Sequence, residues 1–441
     1  MSQQETILKN AFAAALAVAD PRKIVPEYLS KIFPQGTEPK GRCLVVGAGK
    51  ASASMATALE SHAKIHWPQA NLEGLVLTRY GHGSPTSQIQ IIEAGHPVPD
   101  QAGMDGAKEI YRLVSELQAG DILIALISGG GSSLLTLPQA GISIEDMRQT
   151  TEALLRSGAP IEEMNVVRKH LSAIQGGNLA RLAIARCARV EALLISDVTG
   201  DSPSDIASGP CAPDSSTYQD ALDILAKHRL GSNSIPESVL LHLSRGIDGE
   251  VPETLKARDL QDAQVNNHVI ATAYKSLEAA ADYVRTLGYE AVVLGDTITG
   301  EAQDVGVEQA TLARNYAQRK VTPKLALALI SGGECTVTIP NGVKGRGGRC
   351  SEYLLSLFAA STDLPSISAL AADTDGIDGS EKNAGAWFTP AIRKTAQERG
   401  LIPAQHLTQH DCYGFFAQLD ALVETGPTLT NVNDFRIILL D

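Results

Sequence analysis

The sequence predicts an α/β protein of two α/β domains. An N-terminal Rossmann-like, doubly wound domain spans 1–245, and a smaller C-terminal α/β domain spans 246–441. Short runs of Val, Ile and Leu, unbroken by polar alternation, fit strands covered on both faces of a parallel sheet. Helical patterns separate these runs, as in a doubly wound layer. Composition agrees: 441 residues, 44% hydrophobic, 39 glycines and only 4% aromatics supply large cores and many tight loops.

In order along the chain, GRCLVVGAG (41–49) is a buried strand ending in glycines, LEGLVLTRYG (72–81) a second, DILIALISGGG (121–131) a third and VEALLISDVTGD (190–201) a fourth. The helical patterns MDGAKEIYRLVSELQ (104–118) and GGNLARLAIARC (176–187) fall between them. The opening MSQQETILKNAFAAALAVAD has no basic stretch leading into an apolar run. Ile7, Phe12, Ala15 and Leu16 sit at helical spacing, so it reads as an amphipathic helix rather than a signal peptide. The pattern thins over 229–265, where Gly, Pro and charge mix, and the junction is placed there, near 245. Beyond it, NNHVIATAYKSLEAAADYVRTLGYEAVVL reads as strand, helix, strand. LALALISGGECTVTIP reads as strand, Gly turn, strand, and SISALAADTDGIDG as a strand and an acidic loop. Ala125-Leu-Ile-Ser-Gly-Gly130 recurs letter for letter as Ala328-Leu-Ile-Ser-Gly-Gly333. Each half therefore offers one small Gly turn and one acidic loop at a strand's C-terminal end, where open α/β sheets bind ligands.

The net charge of -13 argues against general nucleic-acid or anionic-membrane partners, while leaving room for a local basic site. No apolar stretch reaches the ~20 residues of a membrane span. The six cysteines, Cys43, Cys187, Cys211, Cys335, Cys350 and Cys412, are scattered and form no C-x-x-C, which reads as reduced thiols in a cytoplasmic protein. A homodimer is among the assemblies this composition allows.

Gly47-Ala48-Gly49-Lys50-Ala51-Ser52 follows a strand and opens a small-residue helix. Glycines let backbone N–H groups approach an anion, and a helix N-terminus favours it. As a dinucleotide fingerprint the motif is incomplete: Ser52 holds the third glycine's place, and the next strand ends Leu77-Thr78-Arg79 without the ribose-binding carboxylate. An anion site with Lys50 as its point charge is the favoured reading, and a tight strand–helix turn with a solvated Lys is the plain alternative. Ser128-Gly129-Gly130-Gly131-Ser132-Ser133 is the stronger candidate, a nest of N–H donors for phosphate. It is not a Walker A loop, kinase signatures are missing, and no G-x-S-x-G nucleophile elbow exists.

Asn165-Val-Val-Arg168-Lys169-His170-Leu-Ser172 is a cationic cluster. Arg168 and Lys169 could grip a carboxylate or phosphate, the alternative being a solvated helix face, while His170 reads as structural. Ser196-Asp197-Val-Thr199-Gly-Asp201 places two carboxylates at a strand end, suited to Mg²⁺ or to accepting a hydroxyl proton, with Asx-turn chemistry as the alternative. In the second half, Ser331-Gly332-Gly333-Glu334 is followed by Gly345-Arg346-Gly347-Gly348-Arg349, then Asp373, Asp375 and Asp378. D-T-D-G-I-D-G lacks the glycine and glutamate of a calcium hand. Gly426-Pro427-Thr428 and Asn431-Val432-Asn433-Asp434 read as a polar turn. Anion-binding turns, cations and two acidic loops together fit phosphoryl transfer, which runs on positioning and charge neutralisation.

GAGKAS, ISGGGSSL, NVVRKHLS with its following GG, SDVTGD, SGG-E-x-T-V-T, GRGGR, TDGIDG and GPT-x-TNVND stand in this order. With them the sequence resembles the glycerate 2-kinase family, from about residue 6 to 440. Its members carry an N-terminal glycerate-kinase domain and a C-terminal MOFRL domain, and were often named hydroxypyruvate reductases. The resemblance implies transfer of the γ-phosphoryl of ATP to D-glycerate, giving 2-phosphoglycerate, with Mg²⁺, in a cleft between two α/β domains. It places the family's essential Lys on Lys50, its C-domain Arg on Arg349 and its carboxylate loop on Asp197 and Asp201.

Lys50, Asp197 and Arg349 are accordingly the expected catalytic residues, with Asp197 and Asp201 on the metal. Gly47, Gly49, Ser128, Gly129, Gly130, Gly131, Ser132, Gly332, Gly333 and Glu334 are expected to hold ATP, and Arg168, Lys169 and Asp375 the substrate. The sequence departs from the family at Cys350 and Ser351, where GGRNQE is usual, and at Gln175, where a Lys is usual. These departures bear on substrate or nucleotide preference. The rival readings are an NAD(P)H-dependent hydroxypyruvate or tartronate semialdehyde reductase and a non-catalytic sensor of glycerate-like acids.

Overall fold

The computed structural model describes residues 2–261, 263–319, 326–340 and 342–441. The chain forms two compact units, one of residues 24–270 and one of 1–23 together with 271–441. The first unit carries a six-stranded sheet in the order β3-β2-β1-β4-β5-β6. Its strands are β1 (Gly41–Ala48), β2 (Ala70–Arg79), β3 (Ile89–Ala94), β4 (Ile122–Ile127), β5 (Arg189–Ile195) and β6 (Val265–Ala271). Neighbours from β3 through β5 pair in parallel. The unbroken apolar runs explain this: Cys43 to Ala48 in β1 and Leu123 to Ile127 in β4 are wholly buried, as parallel strands require.

The second unit carries a mixed six-stranded sheet, β13-β12-β11-β14-β9-β7. It is built from β7 (Glu290–Val293), β9 (Leu327–Gly333), β11 (Ile367–Asp373), β12 (Gly385–Phe388), β13 (Leu422–Val423) and β14 (Asp434–Leu440), with β8 (Gly300–Glu301) and β10 (Cys335–Thr336) as a separate parallel pair. β7 and β9 are parallel, whereas β14 runs antiparallel to both β9 and β11.

The units differ from the expected division at 245 in two ways. The stretch 229–265 is no linker: its helix Glu237–Ile247 buries Val239 and Leu243 in the same core as Leu171 and Leu225. The strand β6 then extends the first sheet, where the Val190 N–H donates to the Gln264 carbonyl at 2.8 Å and Asn266 and His268 bond the buried Glu191. The amphipathic helix Gln3–Ala17 belongs to the second unit. Its buried Ile7, Leu8, Ala11, Phe12 and Ala15 join Leu277, Ala281 and Phe435 in that unit's core.

The repeated six-residue word folds two ways. After β4 it leaves the sheet and turns at Gly130, with φ of +82°. In the second unit the expected Gly turn is absent, because β14 offers a full ladder: Ser331, Gly332 and Gly333 pair with Arg436, Phe435 and Asp434, and the strand runs on through them. The first residue of the run read there, Leu325, lies outside the described residues.

Candidate functional site

In the first unit the ends of β1 and β4 lie side by side, and the loops that follow them are bonded to each other. The Lys50 N–H donates to the Gly129 carbonyl at 2.9 Å, and the Ala51 N–H to the Ser128 hydroxyl at 3.0 Å. Ser52 Oγ donates to the Leu126 carbonyl at 2.9 Å, and the Gly49 N–H to the Leu77 carbonyl at 3.2 Å. Gly49, with φ of +139°, faces Ser128 so closely that a Cβ would collide with it. Gly47 sits inside β1, paired with Val76 and Leu126. The first glycine loop thus spends its donors on the second loop and on the neighbouring strands β2 and β4.

The second loop keeps donors to spare. Gly131–Leu134 forms one helical turn, entered through Gly130. The N–H groups of Gly129, Gly130, Ser132 and Ser133 donate to no carbonyl or side chain among the described residues. Side chains from three other segments tie this turn down. Ser132 Oγ meets Ser208 Oγ at 2.9 Å, Gln175 Nε2 donates to the Ser132 carbonyl at 2.9 Å, and Ser133 Oγ meets His96 Nδ1 at 2.8 Å. His96 and Ser208 escaped the sequence reading. His96 follows β3, a strand that reading missed, and Ser208 lies in the Ser-rich stretch after the acidic loop, where nothing marks one serine from the next.

The cations behave differently from one another. Arg168 is partly buried on the helix Ile161–Leu171 and makes no ion pair among the described residues; desolvation lowers its pKa. Lys169 is buried and faces the protein's own carboxylates, Asp205 and Asp214, each at 3.5 Å. Burial opposes ionisation of Asp214, but Lys169, Ser216, His170 and Thr254 together outweigh it and hold its carboxyl below the usual range. His170 is structural, as expected: Nδ1 meets the Val166 carbonyl at 2.8 Å and Nε2 meets Glu253 at 3.3 Å. Asp197 and Asp201 follow β5 in a partly exposed loop, Asp201 with φ of +53°. No group of three or more His, Cys, Asp or Glu among the described residues could enclose a metal. Two loop carboxylates nonetheless fit Mg²⁺, which is commonly held by one or two carboxylates with phosphates and water completing the shell.

The second unit builds its charge around one arginine. Arg349 opens the helix Arg349–Ala360. Its Nε donates to Asp434 at 2.8 Å, Nη1 to Glu334 at 2.6 Å and Nη2 to Asp373 at 2.8 Å. Burial alone would lower its pKa, but Asp434, Asp373 and Glu334 drive it up instead. Asp434 is fully buried and also accepts from Arg436 Nη2 at 2.9 Å. Glu334 is the exposed partner, with 55% of its side chain open. Gly332 and Gly333 stand inside β9 and end at this cluster.

Asp375 is buried and accepts from the Ile377 N–H at 2.9 Å, shaping the acidic turn. Asp378 caps the Arg349 helix, accepting from the Cys350 and Ser351 N–H groups at 2.9 and 2.8 Å and from Ser351 Oγ at 2.5 Å. The cluster adds Asp434, read from sequence only as part of a polar turn.

Residues 7–244 match the family described as "Domain of unknown function (DUF4147)", and residues 327–434 match the MOFRL family. A Pyrococcus horikoshii protein named glycerate 2-kinase is 40% identical over 432 residues, 97% of this chain and 95% of that protein. The chain belongs to the glycerate kinase family. A Thermotoga maritima crystal structure described as glycerate kinase superposes with a TM-score of 0.84 at 35% identity, covering 98% of each chain. An Agrobacterium vitis relative, 44% identical over 98% of this chain and 94% of its own length, carries a hydroxypyruvate reductase name. The glycerate kinase family thus holds both names that the sequence suggested.

Proposed function

We propose that this protein is an ATP-dependent glycerate 2-kinase, transferring the γ-phosphoryl group to D-glycerate to give 2-phosphoglycerate and ADP. The observation that carries the reading is the turn at 129–133, whose unspent N–H groups suit a phosphate, in a chain akin along 97% of its length to a glycerate 2-kinase. Such donors, fixed before the ligand arrives, stabilise developing charge without reorganisation.

In this account the Ser128–Ser132 turn holds ATP phosphates, with Lys50 as a point charge. Arg168, which makes no ion pair among the described residues, takes the glycerate carboxylate. Lys169, given to Asp205 and Asp214, positions that segment rather than touching substrate. Asp197 and Asp201 would hold Mg²⁺, which would supply charge neutralisation at the phosphates, and would orient the attacking hydroxyl. Arg349 meets the negative charge as it develops, Glu334 being the partner it can most readily yield because it is exposed. Asp375 shapes the loop beside Arg349. The cytoplasm is the proposed compartment, consistent with six free cysteines.

The reductase reading draws on the names of relatives at 44% and 45% identity. It asks for donors at the first glycine loop and for a carboxylate ending β2, yet the Gly49, Lys50 and Ala51 N–H groups are spent and β2 ends at Arg79. One paired assay separates the two. Coupled ADP release with D-glycerate, ATP and Mg²⁺ supports the kinase; NADH oxidation with hydroxypyruvate and no ADP release overturns it.

A further inference from the structure

We infer that His96 is a positioning residue for the phosphate-binding turn, acting through the Ser133 hydroxyl; this rests on the reading that the turn binds ATP. Ser133 Oγ has one proton to give, and the Gly130 carbonyl lies 3.1 Å away to accept it. The 2.8 Å contact with His96 Nδ1 is then donated by the imidazole. A chain results, from His96 Nδ1–H to Ser133 Oγ–H to the Gly130 carbonyl.

The imidazole also walls Gly130. A Cβ there would stand 3.0 Å from His96 Cε1 and 3.2 and 3.3 Å from its two ring nitrogens. One side chain thereby fixes both the left-handed residue that enters the turn and the hydroxyl that closes it. The N–H groups of Gly130, Ser132 and Ser133 lie within the stretch these two points bound, and that of Gly129 adjoins it. Gln175 and Ser208 hold the neighbouring Ser132 from other directions, so losing His96 loosens the aim of the turn without dissolving it. The residue serves nucleotide affinity, not the stability of the first unit.

The test compares His96→Ala, His96→Asn, His96→Gln and Ser133→Ala in the full chain, with Mg²⁺-ATP as the probe, by titration calorimetry and steady-state kinetics. Loss of one aligned hydrogen bond corresponds to about a tenfold weaker Kd for ATP. His96→Ala and Ser133→Ala should each show that rise in Kd and in KM for ATP, in protein that stays folded at the assay temperature. Asn places an N–H where Nδ1 stands, so His96→Asn should recover most of the affinity, and His96→Gln should not. The double variant His96→Ala/Ser133→Ala should weaken binding by less than the product of the two single effects.

Gly130→Ala serves as the control for the turn itself. If it weakens ATP binding while His96→Ala does not, the role of His96 is overturned and the turn's role stands. If neither changes ATP affinity in an active enzyme, the reading of the turn as the nucleotide site falls, and this inference with it. Failure of His96→Asn to recover affinity lost in His96→Ala also overturns the inference.

Discussion

Replacing Arg349 puts the phosphoryl-transfer reading under the greatest strain, because the structure gives that guanidinium enough internal partners for a purely structural role. Its N–H groups reach three carboxylates at 2.6 to 2.8 Å. Arg349→Ala removes these charge-assisted bonds, worth about 1.5–3 kcal/mol each when buried. The loss is smaller than their sum. Asp434 keeps Arg436 at 2.9 Å, Asp373 keeps the Asp375 N–H at 2.9 Å, and Glu334 is exposed to water. A net cost of about 2–3 kcal/mol follows, which lowers the melting temperature by roughly 5–10 °C in a unit of this size. Catalysis should suffer more. A cation meeting transition-state charge in phosphoryl transfer is worth about 10³-fold or more in rate, so kcat/KM should fall by at least that factor in protein that remains folded at the assay temperature. Arg349→Lys restores charge but cannot span three carboxylates, and should recover little. The assays are coupled ADP release and circular dichroism on the same preparations. A variant that melts lower but keeps near-normal kcat/KM would refute the catalytic assignment and leave Arg349 as a structural hub.

Other outcomes follow from the same geometry. Lys50→Ala should lower kcat/KM by orders of magnitude in protein that remains folded; a near-normal rate removes it from the site. Glu334→Gln should weaken the hold on Arg349 and raise kcat/KM for ATP, and an unchanged kcat/KM would mean that Arg349 never exchanges this partner. Burial pushes the Asp378 carboxyl up to about 6, against the hydrogen bonds from Ser351 and the Cys350 N–H. The folded state then binds this proton more tightly than the unfolded chain, so its contribution is present below about pH 4 and is lost as pH rises through 6. Denaturation of Asp378→Asn and the parent between pH 4 and 7 should show the slope only in the parent. Glu253 is the reverse case: burial opposes ionisation, but His170, the Tyr218 N–H and Lys256 outweigh it and hold its carboxyl down to about 2. Its contribution, about 1–2 kcal/mol after allowing for solvent screening, is present above about pH 4.5 and lost as pH falls through 2. Glu253→Gln should flatten that acid limb.

The first unit was largely legible because long apolar runs mark its central strands. Runs such as CLVV and ILIALI have one stable place, the middle of a parallel sheet. The strand Ile89–Ala94 was harder to see: its burial is partial and its residues mix Gln and Glu with Ile. Missing it also hid His96, two residues beyond. The boundary went astray for a related reason. Asn266, Asn267 and His268 look like the start of something new, yet their polar side chains are what seat β6 against Glu191 and the Cys211 carbonyl. Identical words carry no information about their neighbours: ALISGG turns in one unit and stays extended in the other because only the second meets β14 in register. Arg349 was legible as a candidate from its glycine-rich setting. The acids that hold it come from residues 334, 373 and 434, a convergence that only the folded sheet makes.

The most direct test of the account is to incubate the purified protein with D-glycerate, ATP and Mg²⁺ and to identify the phosphorylated product by phosphorus NMR. The account predicts a 2-phosphoglycerate resonance growing in step with ADP and vanishing when EDTA is added. A 3-phosphoglycerate resonance would contradict the assigned position of transfer, and ADP formation without any phosphoglycerate would contradict the acceptor.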